Sequence, residues 1–262
     1  MGNFSELRLS IDDCVVEYHD VLPSTQIRAR ELAGEGAKRA VVIAGRQTAG
    51  RGRLARHWES PEGSGLYFSV LYRPALPANV IHMVNIAAAL SAAKAVRVLL
   101  GLELELKWPN DLLIAHAAGY RKARKVCGIL SESALRGGAL DYCITGIGLN
   151  LYAPSDVPPE LKDRAGWLCE NGIRIDQVKL LSLVVGNFFD WICAMERDGV
   201  EQMLLSYREK CASIGRIVRV ETDSEILTGL CTGIGNEGEL LIEAPDGTRR
   251  FHVADVTHAG LV

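Results

Sequence analysis

Ala40-Val41-Val42-Ile43-Ala44-Gly45-Arg46-Gln47-Thr48-Ala49-Gly50-Arg51-Gly52-Arg53 joins an unbroken apolar run to a loop in which glycine and arginine alternate. The apolar run, bounded by glycine, reads as a buried strand. The glycines free the backbone to turn and to approach a ligand closely. The arginines supply planar, permanently charged donors that grip carboxylates and phosphates. Such a loop, launched from a strand end, is suited to closing over an anion. A solvated basic turn would explain one arginine and one glycine. It explains the alternation, with Trp58 close behind, much less well.

Outward from this stretch, strands and helices succeed one another. Val15-Val16-Glu17-Tyr18 reads as a strand, and Ser24 or Thr25 caps a helix that runs through Ile27 and Leu32 to a stop at Gly34 or Gly36. A strand over 66–72 ends at Arg73-Pro74, an Ala-rich helix covers 80–100, and 102–108 alternates as a strand with one wet face. Pro109-Asn110 turns the chain into a strand at 111–114, followed by a basic hairpin tip over 115–124. Strands at 126–134 and 142–150 precede one helix or two over 176–212, with Leu180, Leu181, Val184, Val185, Phe188 and Trp191 inward. After Ala212 the pattern becomes short strands at 217–220, 227–234, 240–243 and 250–253, with turns at Asn236-Glu237-Gly238 and Asp246-Gly247-Thr248. Two domains are therefore expected, 1–212 and an all-β barrel at 213–262.

Composition bounds the function. A chain of 262 residues, 48% hydrophobic and 23% charged, is long enough for a full core. A net charge of −3 lacks the basic excess of bulk nucleic-acid binders. Seven cysteines form no CxxC pair, which fits free thiols in a reducing cytoplasm. The N-terminal Met1-Gly2-Asn3-Phe4-Ser5-Glu6-Leu7 lacks the apolar core of a signal peptide. The most apolar window, 84–102, is interrupted by Asn85, Ser91, Lys94 and Arg97, so a buried helix is expected and no membrane partner.

Gly50-Arg51-Gly52-Arg53-Leu54-Ala55 loosely matches a dinucleotide fingerprint, but the helix that fingerprint requires does not follow. No Walker-type loop is present, and six histidines show no ligand spacing, so no dedicated metal site is expected. Lys107-Trp108-Pro109-Asn110-Asp111 puts a cation, an amide and a carboxylate at a strand end. Those residues suit a site, and they suit equally a plain turn with Trp108 in the core. Lys125 opens an apolar strand, and Gly146-Ile147-Gly148-Leu149-Asn150 closes one.

In their order and residue types, Gly45 to Arg53, Lys107 to Asp111, Lys125-Val126-Cys127-Gly128-Ile129-Leu130 and Gly146 to Asn150 resemble the biotin protein ligases. The resemblance runs from Ser24-Thr25 to the C-terminal barrel. It implies an α+β fold: a class II synthetase-like mixed sheet with helices on one face, plus a small SH3-like barrel. It also implies an ATP-dependent ligase that makes biotinyl-5′-AMP from biotin and ATP with Mg²⁺. Biotin then passes to one lysine of a biotin carboxyl carrier protein.

By the same resemblance Ser24, Thr25 and Gln47 would hydrogen-bond the biotin rings, Lys125 would sit against the activated carboxylate, and Gly128 would also bind biotin. Gly50, Arg51, Gly52 and Arg53 would close over the biotin carboxylate and the α-phosphate. Lys107 would bind phosphates, Asn110 and Asn150 would place the nucleotide, and Trp58 and Trp167 would pack around the adenylate. Arg51, Lys107, Lys125 and Asp111 form the expected catalytic set, with Asp111 orienting or deprotonating the acceptor lysine. Only 23 residues precede Ser24, too few for the helix-turn-helix of bifunctional relatives, so no specific DNA binding is expected. Sheet-edge homodimers occur in the family, and a homodimer is open here.

A lipoate or octanoate ligase on the same fold is the rival enzyme, disfavoured by the Gly/Arg loop and the Lys-Trp-Pro-Asn-Asp run. Its transferase branch needs a nucleophilic cysteine, and Cys127 sits inside an apolar strand, where an inert thiol is expected. A non-catalytic binding module is disfavoured by the intact charged motifs, and a repressor by the missing DNA-binding segment.

Overall fold

The computed structural model describes residue 4 and residues 13–114, 123–169 and 173–258. Strand β1 (Cys14–Leu22) runs parallel to β2 (Arg39–Gln47), joined by helix α1 (Thr25–Gly34). Every later pairing is antiparallel: β2 with β3 (Gly65–Tyr72), β3 with β7 (Ala139–Asn150), β7 with β6 (Arg124–Arg136), then β5 (Asp111–Ile114) and β4 (Glu105–Lys107). The result is a seven-stranded mixed sheet in the order β1-β2-β3-β7-β6-β5-β4. Helices α2 (Val84–Leu100), α3 (Gln177–Asp198) and α4 (Glu201–Lys210) complete this part of the chain. Strands β8 (Ile217–Glu221), β9 (Ile226–Ile234), β10 (Leu240–Ala244), β11 (Gly247–Phe251) and β12 (Asp255–His258) form a five-stranded antiparallel sheet, the expected SH3-like unit.

Side-chain alternation divides the large sheet into two working faces. Val41, Ile43, Phe68, Val70, Ile147 and Leu149 enter the main core with α2 and α3. Their chain neighbours Ala40, Val42, Leu71 and Ile144 form a second small core with Ala29, Leu32 and Ala33 of α1. The long helices thus share one face, as expected, while α1 lies on the other. The parallel β1-α1-β2 crossover places it there. Helices 80–100 and Gln177–Asp198 are long and apolar enough to cross a membrane by length and composition, and both are packed into this core.

Local chemistry sets the boundaries. Ser24 caps α1 and accepts a hydrogen bond from the Gln26 backbone N–H at 3.3 Å. The apolar stretch over 176–212 splits because Gly199, at φ 82°, ends α3. The strand expected over 102–108 pairs at Glu105–Lys107, with β5 on one side and, on the other, the chain after α4, where the Ala212 N–H donates to the Leu106 carbonyl at 2.8 Å. A six-residue 3-10 helix, Ala78–Met83, takes the place of the first turn expected of α2. Strand β12, which the sequence pattern does not reveal, pairs with β8. Most of the expected basic hairpin tip, 115–122, lies outside the described residues.

Candidate active site

One irregularity in β6 builds the site. Opposite Leu112 and Leu113 of β5 the register slips, so Leu112 faces Cys127 while Leu113 faces Lys125. Val126 and Cys127 therefore both point into the core. This bulge returns Lys125 to the face carrying Asp111 and Gly128. Lys125 Nζ lies 2.6 Å from Asp111 Oδ1. A cross-strand row then runs over this face: Lys107 opposite Asp111, Asp111 opposite Gly128, Gly128 opposite Gly148, and Gly148 opposite Tyr67. Charge collects at one end of the row, and the middle of the floor has no side chains.

Trp58 fills part of that bare floor. A Cβ on Gly148 would lie 2.6 Å from its indole, and one on Gly128 would lie 2.6 Å from its Cζ3. Neither position tolerates a side chain while the ring lies flat. Lys125 Nζ sits 5.2 Å from the same ring's centroid, within cation–π range. The Gly/Arg loop closes over the top. Arg51 bridges to His57, Gly52 N–H donates to the Arg56 carbonyl at 2.8 Å, and Trp58 N–H donates to the Gly50 carbonyl at 3.0 Å. Gly50 permits this fold because a Cβ there would meet the Trp58 carbonyl at 2.3 Å.

At the other end, α1 presents its N-terminus. Thr25 donates to Gln47 Oε1 from both its backbone N–H (2.9 Å) and its hydroxyl (3.2 Å). The amide of Gln47 in turn donates to Ser60 Oγ at 2.9 Å. Gln26, buried, donates from Nε2 to the Leu130 carbonyl at 2.8 Å and lies over Gly146. Between these ends is a cleft with about 470 Å³ of empty space.

Of the expected residues, Ser24, Thr25, Gln47, Arg51, Gly52, Arg53, Trp58, Asn110, Lys125 and Gly128 line the cleft. Lys107 and Asp111 stand behind Lys125, and Gly50 supports the loop from below. Asn150 donates to the Lys125 carbonyl at 3.4 Å, one residue pair away from the floor. Trp167 follows Gly166, whose N–H donates to that same carbonyl at 2.8 Å, and it does not line the cleft. Gln26, Gly146 and Gly148 also line it. No motif singles out Gln26, although it directly follows Ser24-Thr25 in the first turn of α1. Gly146 and Gly148 belong to the Gly146 to Asn150 motif, though the resemblance attaches no role to either glycine.

The site is cationic and partly dry. Burial pushes the Lys107 ammonium below its ordinary value; Asp111 and Asp255 oppose this, while Lys125 and Arg164 add to it. Burial also lowers Arg53, which nonetheless stays charged near neutrality. Arg53 donates from Nη1 and Nη2 to the Ala254 carbonyl at 3.2 Å, and Arg56 pairs with Asp255, so the SH3-like unit holds the loop. For Asp255 burial pulls upward, but Arg56, Lys107 and Arg53 together hold its carboxyl below the usual value. The Cys127 thiol is fully buried and pushed upward by that burial, which leaves no thiolate nucleophile there. Such a site can bind two anions side by side against their repulsion and exclude water from them.

Comparison with known proteins agrees with this arrangement. Residues 18–150 match the family model described as Biotin/lipoate A/B protein ligase family, and 213–258 match the Biotin protein ligase C terminal domain. The chain is 34% identical over 242 residues to a bifunctional ligase/repressor BirA of Bacillus subtilis, covering 91% of this chain and 72% of that one. It is 30% identical to a biotin–[acetyl-CoA-carboxylase] ligase of Paracoccus denitrificans, covering 90% of this chain and 98% of that one. The structure superposes on a biotin protein ligase from Aquifex aeolicus, solved in complex with biotin and ATP, with a TM-score of 0.78 at 28% identity, covering 93% and 98% of the two chains.

Proposed function

The chain belongs to the biotin/lipoate A/B protein ligase family, and on that premise we infer that it is a biotin–protein ligase. It forms biotinyl-5′-AMP from biotin and ATP, then transfers biotin to a lysine of a carboxylase carrier protein. The observation that carries the reading is one cleft with two unlike ends. The neutral Ser24-Thr25-Gln47 network suits a ureido ring. The Arg51, Arg53 and Lys125 cations stand where that molecule's carboxylate would meet a phosphate.

Residue roles follow from chemistry. A carboxylate needs no general base to attack phosphorus, so positioning and charge neutralisation supply the rate. Ser24, Thr25 and Gln47 orient the rings. Arg51, Arg53 and Lys125 hold the carboxylate and α-phosphate in line, and Lys107 offsets charge from behind. Trp58 on its glycine floor shields the mixed anhydride from water. Asn110, Asn150 and Trp167 belong to the nucleotide side of this reading. Asp111 orients the acceptor lysine, and its pair with Lys125 makes it a positioning group for that lysine too.

Mg²⁺ would neutralise the triphosphate. It keeps several waters and uses one or two carboxylates beside substrate phosphates. Asp111 is the carboxylate at hand for a cation delivered with the nucleotide. The reading divides the chain into a ligase unit, 1–212, and an SH3-like unit, 213–262, and assigns no role to DNA or membrane. Seven unpaired thiols support a reducing cytoplasm. A second copy of the chain would add at the β1 edge of the large sheet, and sedimentation velocity reads out whether the chain dimerises.

The test is pyrophosphate release from ATP and Mg²⁺ with biotin, using lipoate as control acid. A signal with biotin alone, lost in Arg51→Ala, is expected. Equal rates with lipoate, or silence with both acids, would overturn the assignment.

A further inference from the structure

We propose that Glu132 is the counter-ion that holds Arg51 between ligands, and that the substrate carboxylate takes Arg51 from it. The inference rests on the ligase reading above. Glu132 lies on β6, on the same face as Gly128 and four residues further along the strand. Its Oε1 is 3.1 Å from Arg51 Nη1, and its Oε2 pairs with Arg30 of α1. Arg51 and Arg53 are the two loop arginines lining the cleft, and they differ in what they hold. Arg53 is anchored by neutral acceptors, the Ala254 carbonyl and the Asn110 side-chain oxygen. The partner of Arg51 is a carboxylate, the same chemical group the substrate would offer.

The geometry makes the exchange cheap. Each Glu132 oxygen serves a different arginine, so a substrate carboxylate that removes Arg51 leaves Glu132 still paired with Arg30. No uncompensated half-buried charge results, which is the costly outcome when an ion pair is broken. Arg30 also keeps Glu132 fixed, so Arg51 has a place to return to when product leaves. Glu132 is thus a positioning residue that acts through Arg51. It competes with the substrate, lowering affinity and hastening release. The Arg51 side chain is 45% exposed and that of Glu132 27%, so the competition is modest. Exposed and half-exposed pairs correspond to about two- to fivefold in an equilibrium constant.

The experiment is biotin titration by calorimetry on the wild-type chain, Glu132→Gln and Arg30→Met, with kcat and KM for pyrophosphate release beside it. Glu132→Gln should lower the biotin Kd and KM by about two- to fivefold. Arg30→Met should raise them by a similar factor, because Glu132 is then left with Arg51 alone. Both shifts should fade in about 1 M salt, where screening is nearly complete. Glu132→Asp, with a shorter reach toward Arg51, provides a milder variant that shifts Kd in the same direction as Gln. If Glu132 merely ties β6 to α1, both losses move Kd the same way, and that result overturns the proposal. Unchanged Kd values in variants that melt like the wild type do so as well. Absence of biotin binding by the wild-type chain would instead remove the ligase reading, and this inference with it.

Discussion

Substituting alanine for Gly148 tests whether the glycine floor beneath Trp58 is functional. The new Cβ would lie 2.6 Å from Trp58 Cε2 and Nε1, whereas ordinary contact begins near 3.4 Å. The indole must therefore lift by the difference, about 0.8 Å. The ring is half-buried, so it can move, and the folding cost should sit at the low end of overpacking, about 1 kcal/mol. For a chain of this size that is a melting shift of about 2–4 °C. Catalysis should suffer more. Trp58 N–H anchors the return of the Gly/Arg loop on Gly50, and its ring backs Lys125. A misplacement of about 1 Å costs on the order of 100-fold in rate. Gly148→Ala should therefore lower kcat/KM for biotin by about 10–100-fold. Gly186→Ala, within α3 where nothing lies within 4 Å, should gain about 0.5–1 kcal/mol and leave activity alone. A Gly148→Ala protein with wild-type kinetics would refute the reasoning. So would an equal further loss on adding Gly148→Ala to Trp58→Ala, because the steric conflict would then not be with the indole.

Three further outcomes can be measured. His258 is held neutral, its pKa pushed down from 6.5 to about 4 by burial and then by Lys107 and Arg216. The unfolded chain binds that proton first, so the contribution is complete above pH 6.5 and declines as pH falls toward 4; His258→Gln should flatten denaturation midpoints across that window. Lys107→Met should leave biotin affinity within about twofold while cutting adenylate formation by at least about 100-fold, since its charge stands behind the phosphates; single-turnover assays with labelled ATP would expose a normal rate. Asp255→Asn removes the charged partner of Arg56, so trypsin should cut the loop at 51–56 several-fold faster, on the order of the weak pair it loses; equal cleavage would show that the SH3-like unit does not restrain the loop.

Much of the site was legible because its chemistry is local. Ser24-Thr25, the Gly/Arg loop and Lys107 to Asp111 are each marked within a few residues; Ser24, Thr25, Arg51, Gly52, Arg53 and Asn110 line the candidate cleft, and Asp111 pairs with Lys125 at its side. What stayed hidden was set by pairing. Two apolar residues in succession, Val126 and Cys127, look alike in a fully buried strand and in a bulge, so nothing announced which way Lys125 would point. Glu132 reads as an ordinary strand carboxylate until α1 and the loop deliver Arg30 and Arg51 to it. Nothing local in Gly166-Trp167 announces that the 164–166 segment pairs beside Lys125, which sets Trp167 next to the strand that opens the cleft. Helix α1 was placed on the far face by the handed β1-α1-β2 crossover, which no local pattern records.

The division of the large sheet into two faces also shapes how this protein can vary over time. Along β6 and β7, Cys127, Ile129, Ile147 and Leu149 belong to the main core, while Gly128, Leu130, Gly146 and Gly148 alternate with them on the cleft side, which Ile129 and Ile147 also border. Neighbouring codons therefore answer to different selective demands: one protects abundance, the next protects turnover. A comprehensive substitution scan scored separately for expression and for biotinylation would display two interleaved combs with a period of two residues. Substrate preference could then drift on one comb with little disturbance to the other.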